Sequence, residues 1–114
     1  MENETKTHGD NVFVLIEEYY PKDSQGAEVL KIAKESVHLI EGTEGLIMAK
    51  TLNPKKNDAP ICNITTWVSE DQFKSFMKSD AVKELYKSDE MAKVKAATSD
   101  IKVNMYQLEY GWHQ

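Results

Sequence analysis

Residues 61–72 read Ile61-Cys62-Asn63-Ile64-Thr65-Thr66-Trp67-Val68-Ser69-Glu70-Asp71-Gln72. The first eight are dominated by β-branched and aromatic side chains, so 61–68 is expected as a strand. Strand geometry then places Asn63, Thr65 and Trp67 on one face and Cys62, Ile64 and Thr66 on the other. The strand runs straight into a helix start: Ser69 is a natural N-cap, and Gln72, three positions on, completes a capping box ahead of Phe73, Phe76 and Met77.

Upstream of this stretch, Asn53-Pro54 ends a strand over Leu46–Leu52, and the lysine-rich segment to Pro60 reads as a long hairpin loop. Farther back, Leu30, Ala33, Val37 and Ile40 recur at helical spacing between Ser24 or Gln25 and Glu41, with Val29 and Ile32 widening the stripe and Gly42 closing it. The first strand starts at Asn11; its run Val12-Phe13-Val14-Leu15-Ile16 is continuously apolar, the pattern of a strand covered on both faces, and Pro21 stops it. Residues 1–10 are polar and without period, and are expected as a mobile leader to a single domain over 11–114. Downstream, Val82, Leu85 and Tyr86 continue the helical pattern as one broken helix or two short ones, and Ile101 to Tyr110 is the last strand.

The order is β-α-β-β-α-β, the ferredoxin-like split unit, an α+β fold with a four-stranded antiparallel sheet and its helices on one face. Both faces of the sheet are apolar: Phe13 and Leu15 oppose Val12, Val14 and Ile16 on the first strand. Helices cover only one face, so the other predicts a partner sheet, and a homodimer closed as an α+β barrel is expected.

Composition bounds the partners. The 114 residues carry 14 positive side chains, all lysine, and a formal net charge of -5. Without a guanidinium fork or a basic balance, nucleic acid is excluded as an expected partner. A lone cysteine, Cys62, makes no internal disulfide and no thiolate metal site, and no apolar run approaches a membrane span, so the expected home is the cytoplasm. The histidines, His8, His38 and His113, are scattered without metal-ligand spacing, and no glycine pattern suits a nucleotide.

Asn63 and Trp67 are the leading site candidates. A side-chain amide can hold a developing oxyanion, and an indole offers a flat apolar wall with one donor. The structural alternative is a core tryptophan with a satisfied N–H and an asparagine capping a backbone group. Phe73, Phe76 and Tyr86 line a cleft against Trp67 or belong to the ordinary core. His38 bears on the site only if it tips over that cleft; otherwise it is a surface residue. Of Glu17 and Glu18, one points inward in a regular strand, and an inward Glu17 is a base or a rim carboxylate.

The segment NITTWVSEDQFKSFMKSDAVKEL, with EGTEGLIMAKTL upstream, resembles the antibiotic biosynthesis monooxygenase family over about residues 11 to 110. The resemblance implies a dimeric α+β barrel that oxygenates quinol-like or anthrone-like aromatics with molecular oxygen and needs no metal or organic cofactor. Asn63 and Trp67 match the asparagine that stands four residues before a tryptophan in those enzymes. Their tyrosine six residues after the tryptophan is Phe73 here, and their arginine has no counterpart. A haem-degrading branch implies instead a haem site, whose corresponding positions are Glu17, Phe76 and Tyr86. A third expectation is a non-catalytic binding or stress module on the same fold.

Overall fold

The computed structural model of the chain describes residues 12–112 and 114. The leader expected over 1–10, with His8, and also His113 therefore lie outside the described residues.

Among the described residues four strands and four helices follow in order: β1 (Phe13–Pro21), α1 (Gly26–Ile40), β2 (Leu46–Leu52), β3 (Ile61–Trp67), α2 (Glu70–Met77), α3 (Asp80–Tyr86), α4 (Asp89–Ala97) and β4 (Thr98–Gln107). The sheet order is β2-β3-β1-β4 and every neighbouring pair is antiparallel. This is the expected ferredoxin-like sheet, with its helices on one side.

Local signals set the element ends. Ser69 Oγ accepts the backbone N–H of Gln72 at 3.2 Å, as the capping box requires. The reciprocal bond is not formed among the described residues; the Gln72 side chain instead lies over Gly45, where an added Cβ would stand 2.7 Å from Gln72 Cβ. Gly45 has φ +87, so both backbone conformation and close approach require glycine there. Gly42, at φ +80, ends α1 as expected.

Two boundaries differ from the sequence expectation. The helical region after β3 is three helices, because Ser79 and Ser88 each accept a backbone N–H from three residues on, at 3.3 Å, and restart the chain. Of these, α4 is the helix the periodicity did not disclose: its buried residues are only Val94 and Ala97. The last strand begins at Thr98 and not Ile101, since Thr98 pairs with Pro21 across a bulge. It ends at Gln107, with one further bond from Leu108 N–H to the Val12 carbonyl at 2.8 Å.

The helix-covered face divides into two apolar clusters. At one end Phe13, Leu15, Trp67 and Phe73 pack with Leu46, Phe76 and Met77. At the other, Tyr19, Val29, Ile32, Ala33 and Ile61 pack against Val94 and Ala97 of α4. The register shows what lies between them: Thr51 of β2 stands beside Asn63 of β3, and Asn63 beside Glu17 of β1, a polar row across three strands. The opposite face is uncovered in the single chain, with Met48, Leu52 and Tyr106 44%, 45% and 53% exposed and Val14, Ile16 and Ile64 half-buried. Among the described residues no helix is long and apolar enough to cross a membrane.

Candidate functional site

The polar row is built by strand parity. Phe13, Leu15, Glu17 and Tyr19 alternate onto the helix face of β1, and Ile61, Asn63, Thr65 and Trp67 onto that of β3. Glu17 is thus the inward member of the Glu17-Glu18 pair, and Glu18 faces away, accepting from the Tyr20 hydroxyl at 3.1 Å.

Asn63 is 2% exposed and its amide is engaged at both ends. Nδ2 donates to the Ala33 carbonyl of α1 at 3.1 Å, and Oδ1 accepts the Thr51 hydroxyl at 2.7 Å. Trp67, 1% exposed, donates through Nε1 to Thr65 Oγ1 at 2.9 Å. Its ring lies 5.5 Å from Phe73 edge-on and 5.2 Å from Phe76. Both residues therefore have the structural partnerships that buried polar groups need, and both also line a cavity.

That cavity, about 100 Å³, lies between the sheet and α1, α2 and α3, with Leu15, Trp67, Phe73, Phe76 and Met77 among its walls. A second, about 220 Å³, opens under α4 and is lined by Ile32, Ala33, Val94, Ile101 and Val103. The two share Glu17, Tyr19, Ser36, Leu85, Tyr86 and Met91. They are an aromatic and an aliphatic lobe meeting at the polar row. For scale, a cavity of roughly 150 Å³ admits benzene. The aromatic lobe falls below that size and the aliphatic lobe above it.

Electrostatics at the junction follow from burial. The Tyr19 hydroxyl donates to Glu17 Oε1 at 3.0 Å. Burial raises the Glu17 carboxyl above its ordinary 4.5, and the bond from Tyr19 only partly opposes that rise. Tyr19 is pushed far above its usual value, first by burial, then by the Glu17 charge and by its own bond to Glu17, while the Asn63 amide pulls the other way. Tyr86, 53% exposed at the mouth of both lobes, is raised by burial and by Glu17. The junction thus holds neutral phenols around one carboxyl group.

Six of the seven residues singled out in the sequence, Asn63, Trp67, Phe73, Phe76, Tyr86 and Glu17, are brought together around the aromatic lobe. His38 is not. It lies on the outer side of α1 with its side chain 79% exposed and Nδ1 3.2 Å from the Glu41 carboxylate, because the buried stripe of that helix runs through Val29, Ile32 and Ala33. Tyr19, Thr51 and Ser36 were not singled out. Tyr19 was accessible to parity, standing two residues beyond Glu17; Thr51 and Ser36 needed the sheet register and the helix docking.

Cys62 lies on the other face, where burial and the nearby Glu18 charge raise its thiol and disfavour the nucleophilic thiolate. Among the described residues no three His, Cys, Asp or Glu side chains gather as a metal site. The donor set suits haem poorly, since no described histidine lines either lobe and the Tyr86 phenol is held toward its protonated form.

A sequence model of the family described as antibiotic biosynthesis monooxygenase matches residues 9–88. Among solved structures the chain is similar to a conserved protein from Methanosarcina mazei, at 14% identity, covering 91% of this chain and 99% of that one with a TM-score of 0.73. It is similar also to SnoaB, a cofactor-independent oxygenase from Streptomyces nogalater, at 10% identity, 91% and 99% coverage and a TM-score of 0.71. A protein from Shewanella oneidensis matches at 11% identity, 85% and 90% coverage and a TM-score of 0.70. At these identities the likeness is one of fold.

Proposed function

Because the chain belongs to the antibiotic biosynthesis monooxygenase family, we propose that it is a cytoplasmic homodimeric monooxygenase acting with molecular oxygen on a quinol-like or anthrone-like aromatic, without metal or organic cofactor. The observation that carries this reading is the position of Asn63 on the wall of a cavity shared with Trp67, Phe73 and Phe76. SnoaB, a cofactor-independent oxygenase, has the same fold.

The chemistry needs little from the protein. Loss of a proton makes the substrate an electron-rich enolate that reacts with oxygen itself; an anthrone methylene plus oxygen then gives a carbonyl plus water. The protein supplies an apolar enclosure and donors for the anionic oxygen. In this chain the donors are neutral: the Asn63 amide and the Tyr86 hydroxyl, since the Tyr19 hydroxyl is given to Glu17. Trp67, Phe73 and Phe76 provide the flat wall.

The homodimer rests on the uncovered sheet face, apolar along Val14, Ile16 and Ile64 and ringed by Glu18, Lys50 and Lys102. A second sheet laid on that face would remove it from water.

Oxygen consumption with a panel of reduced polycyclic quinols and anthrones tests the function. We expect uptake by the wild-type protein and a fall of at least tenfold in Asn63→Ala; an unchanged rate overturns the role of Asn63. Titration with hemin is expected to leave the Soret band unshifted, and a shifted band would instead establish the haem reading. A non-catalytic binding module is the second reading, favoured by the small aromatic lobe and by the structural bonds the Asn63 amide makes at both ends. Ligand binding across the panel without oxygen uptake would establish it.

A further inference from the structure

We propose that Glu17 is the proton acceptor of this site, and that the aliphatic lobe under α4 is where the substrate ring sits with its acidic C–H or O–H turned toward Glu17. The assignment deepens the oxygenase reading above and takes its substrate class from it.

Three observations converge on Glu17. It lies where the two lobes meet, on the walls of both. Tyr19 donates to Oε1, and among the described residues that is the side-chain hydrogen bond Glu17 makes, which leaves its second oxygen for a ligand. Among the described residues no fully buried side-chain oxygen or nitrogen is without a partner, so this second oxygen keeps some exposure, on a residue that lines both lobes. A carboxylate so placed has one acceptor committed and one free.

The rest of the row positions it. Asn63 is its cross-strand neighbour on β3, held by Thr51 on one side and Ala33 on the other. On β4 its neighbour is Val103, and α1 presents the neutral Ser36. From α3 comes the Tyr86 phenol, and at the rim of the lobe α4 brings Glu90 and Lys95. Besides Glu17 and these two rim charges, the groups lining this lobe are neutral at pH 7, so Glu17 is the base available at its inner end.

Size decides between the lobes. At about 220 Å³ the aliphatic lobe exceeds the roughly 150 Å³ that admits benzene, whereas the aromatic lobe, at about 100 Å³, does not reach it. A fused-ring substrate would seat its first ring under α4 and extend past Glu17 toward Trp67. In the proton-transfer step the substrate C–H (or O–H) bond breaks, its proton goes to a Glu17 oxygen, and its electron pair stays on the substrate as the enolate. No electrons leave the substrate until oxygen arrives.

The test separates this step from oxygenation. Exchange of the anthrone methylene hydrogens with deuterium oxide is followed by proton NMR under strictly anaerobic conditions. The wild-type protein is expected to accelerate exchange, with a rate that rises with pH to a midpoint above 4.5, and Glu17→Gln to lose at least a hundredfold of it, the ordinary contribution of a general base. Val103→Trp, a half-exposed position that fills the aliphatic lobe from β4, is expected to raise the half-saturating anthrone concentration at least tenfold. Wild-type exchange in Glu17→Gln, a flat wild-type pH profile, or no wild-type exchange overturns Glu17 as the base; an unaltered half-saturation in Val103→Trp overturns the placement of the ring. The pH profile is read on the unmodified protein, so it decides the matter even where Glu17→Gln does not fold. Exchange without any oxygen uptake would support Glu17 while overturning the oxygenase reading.

Discussion

Asn63 and Glu17 are direct cross-strand partners of the antiparallel β3–β1 pair, and the Asn63 amide is in turn tied to Ala33 of α1 at 3.1 Å. One side chain thus joins the central strand pair to the helix that covers it, at the point where the core changes from aromatic to aliphatic. Its loss has a structural cost separable from its catalytic one. Asn63→Ala removes both amide bonds, to the Ala33 carbonyl and from the Thr51 hydroxyl, and is expected to lower stability by about 2–3 kcal/mol. Thr51→Val removes only the hydroxyl bond to Oδ1, expected at about 1 kcal/mol. Urea denaturation of the two variants measures the difference, and equal losses would refute this division.

Trp67 is expected to behave as a core residue in stability measurements whatever its role toward substrate. Trp67→Phe removes the Nε1 bond to Thr65 and part of the packing on Phe73 and Phe76. Together these predict a loss of about 2–4 kcal/mol. A thermal melt within a degree or two of wild type would show that the cluster repacks freely.

Glu17 makes stability depend on pH in an unusual direction. Its folded-state value lies above 4.5, so between that ordinary value and the raised one the folded state binds the extra proton. Stability conferred by this proton is complete below the ordinary value and declines as pH rises through the raised one. Glu17→Gln is expected to be more thermostable than wild type at neutral pH, with the advantage disappearing below pH 4.5. Melting temperatures measured across that range check both the sign and the window; a lower melting point for the variant at neutral pH contradicts it.

The uncovered sheet face gives a prediction about assembly. Ile64 and Ile16 are cross-strand partners at its centre and are half-buried already in the single chain. Ile64→Lys would bury a charge in any sheet-to-sheet interface and is expected to weaken dimerisation by at least a hundredfold. Sedimentation velocity reads the result: a wild-type dimer and a monomeric variant are expected, and a wild-type monomer at high concentration would refute the barrel.

Much of the fold was legible because it rests on short-range chemistry. The capping serine at Ser69, the closure of α1 at Gly42 and the alternation along β3 depend on neighbours within four residues. Helix α4 was not legible, because its nine residues bury only Val94 and Ala97 and its start is marked only by Ser88. The last strand was displaced for a related reason: its limits are set by where β1 offers partners, from Pro21 to Phe13, and not by its own residues.

By itself, the sequence determined the ferredoxin-like order of elements and the shared face of Asn63, Thr65 and Trp67, since strand parity is a property of covalent geometry. Only the tertiary structure decided that Glu17 stands beside Asn63, that Tyr19 donates to Glu17, that two lobes meet there, and that His38 faces water. The first two relationships join residues 46 and two positions apart, and the lobes join residues farther apart still, through register and helix docking. Register is fixed by the burial of whole faces against one another, a sum over the sheet that no single stretch of chain contains.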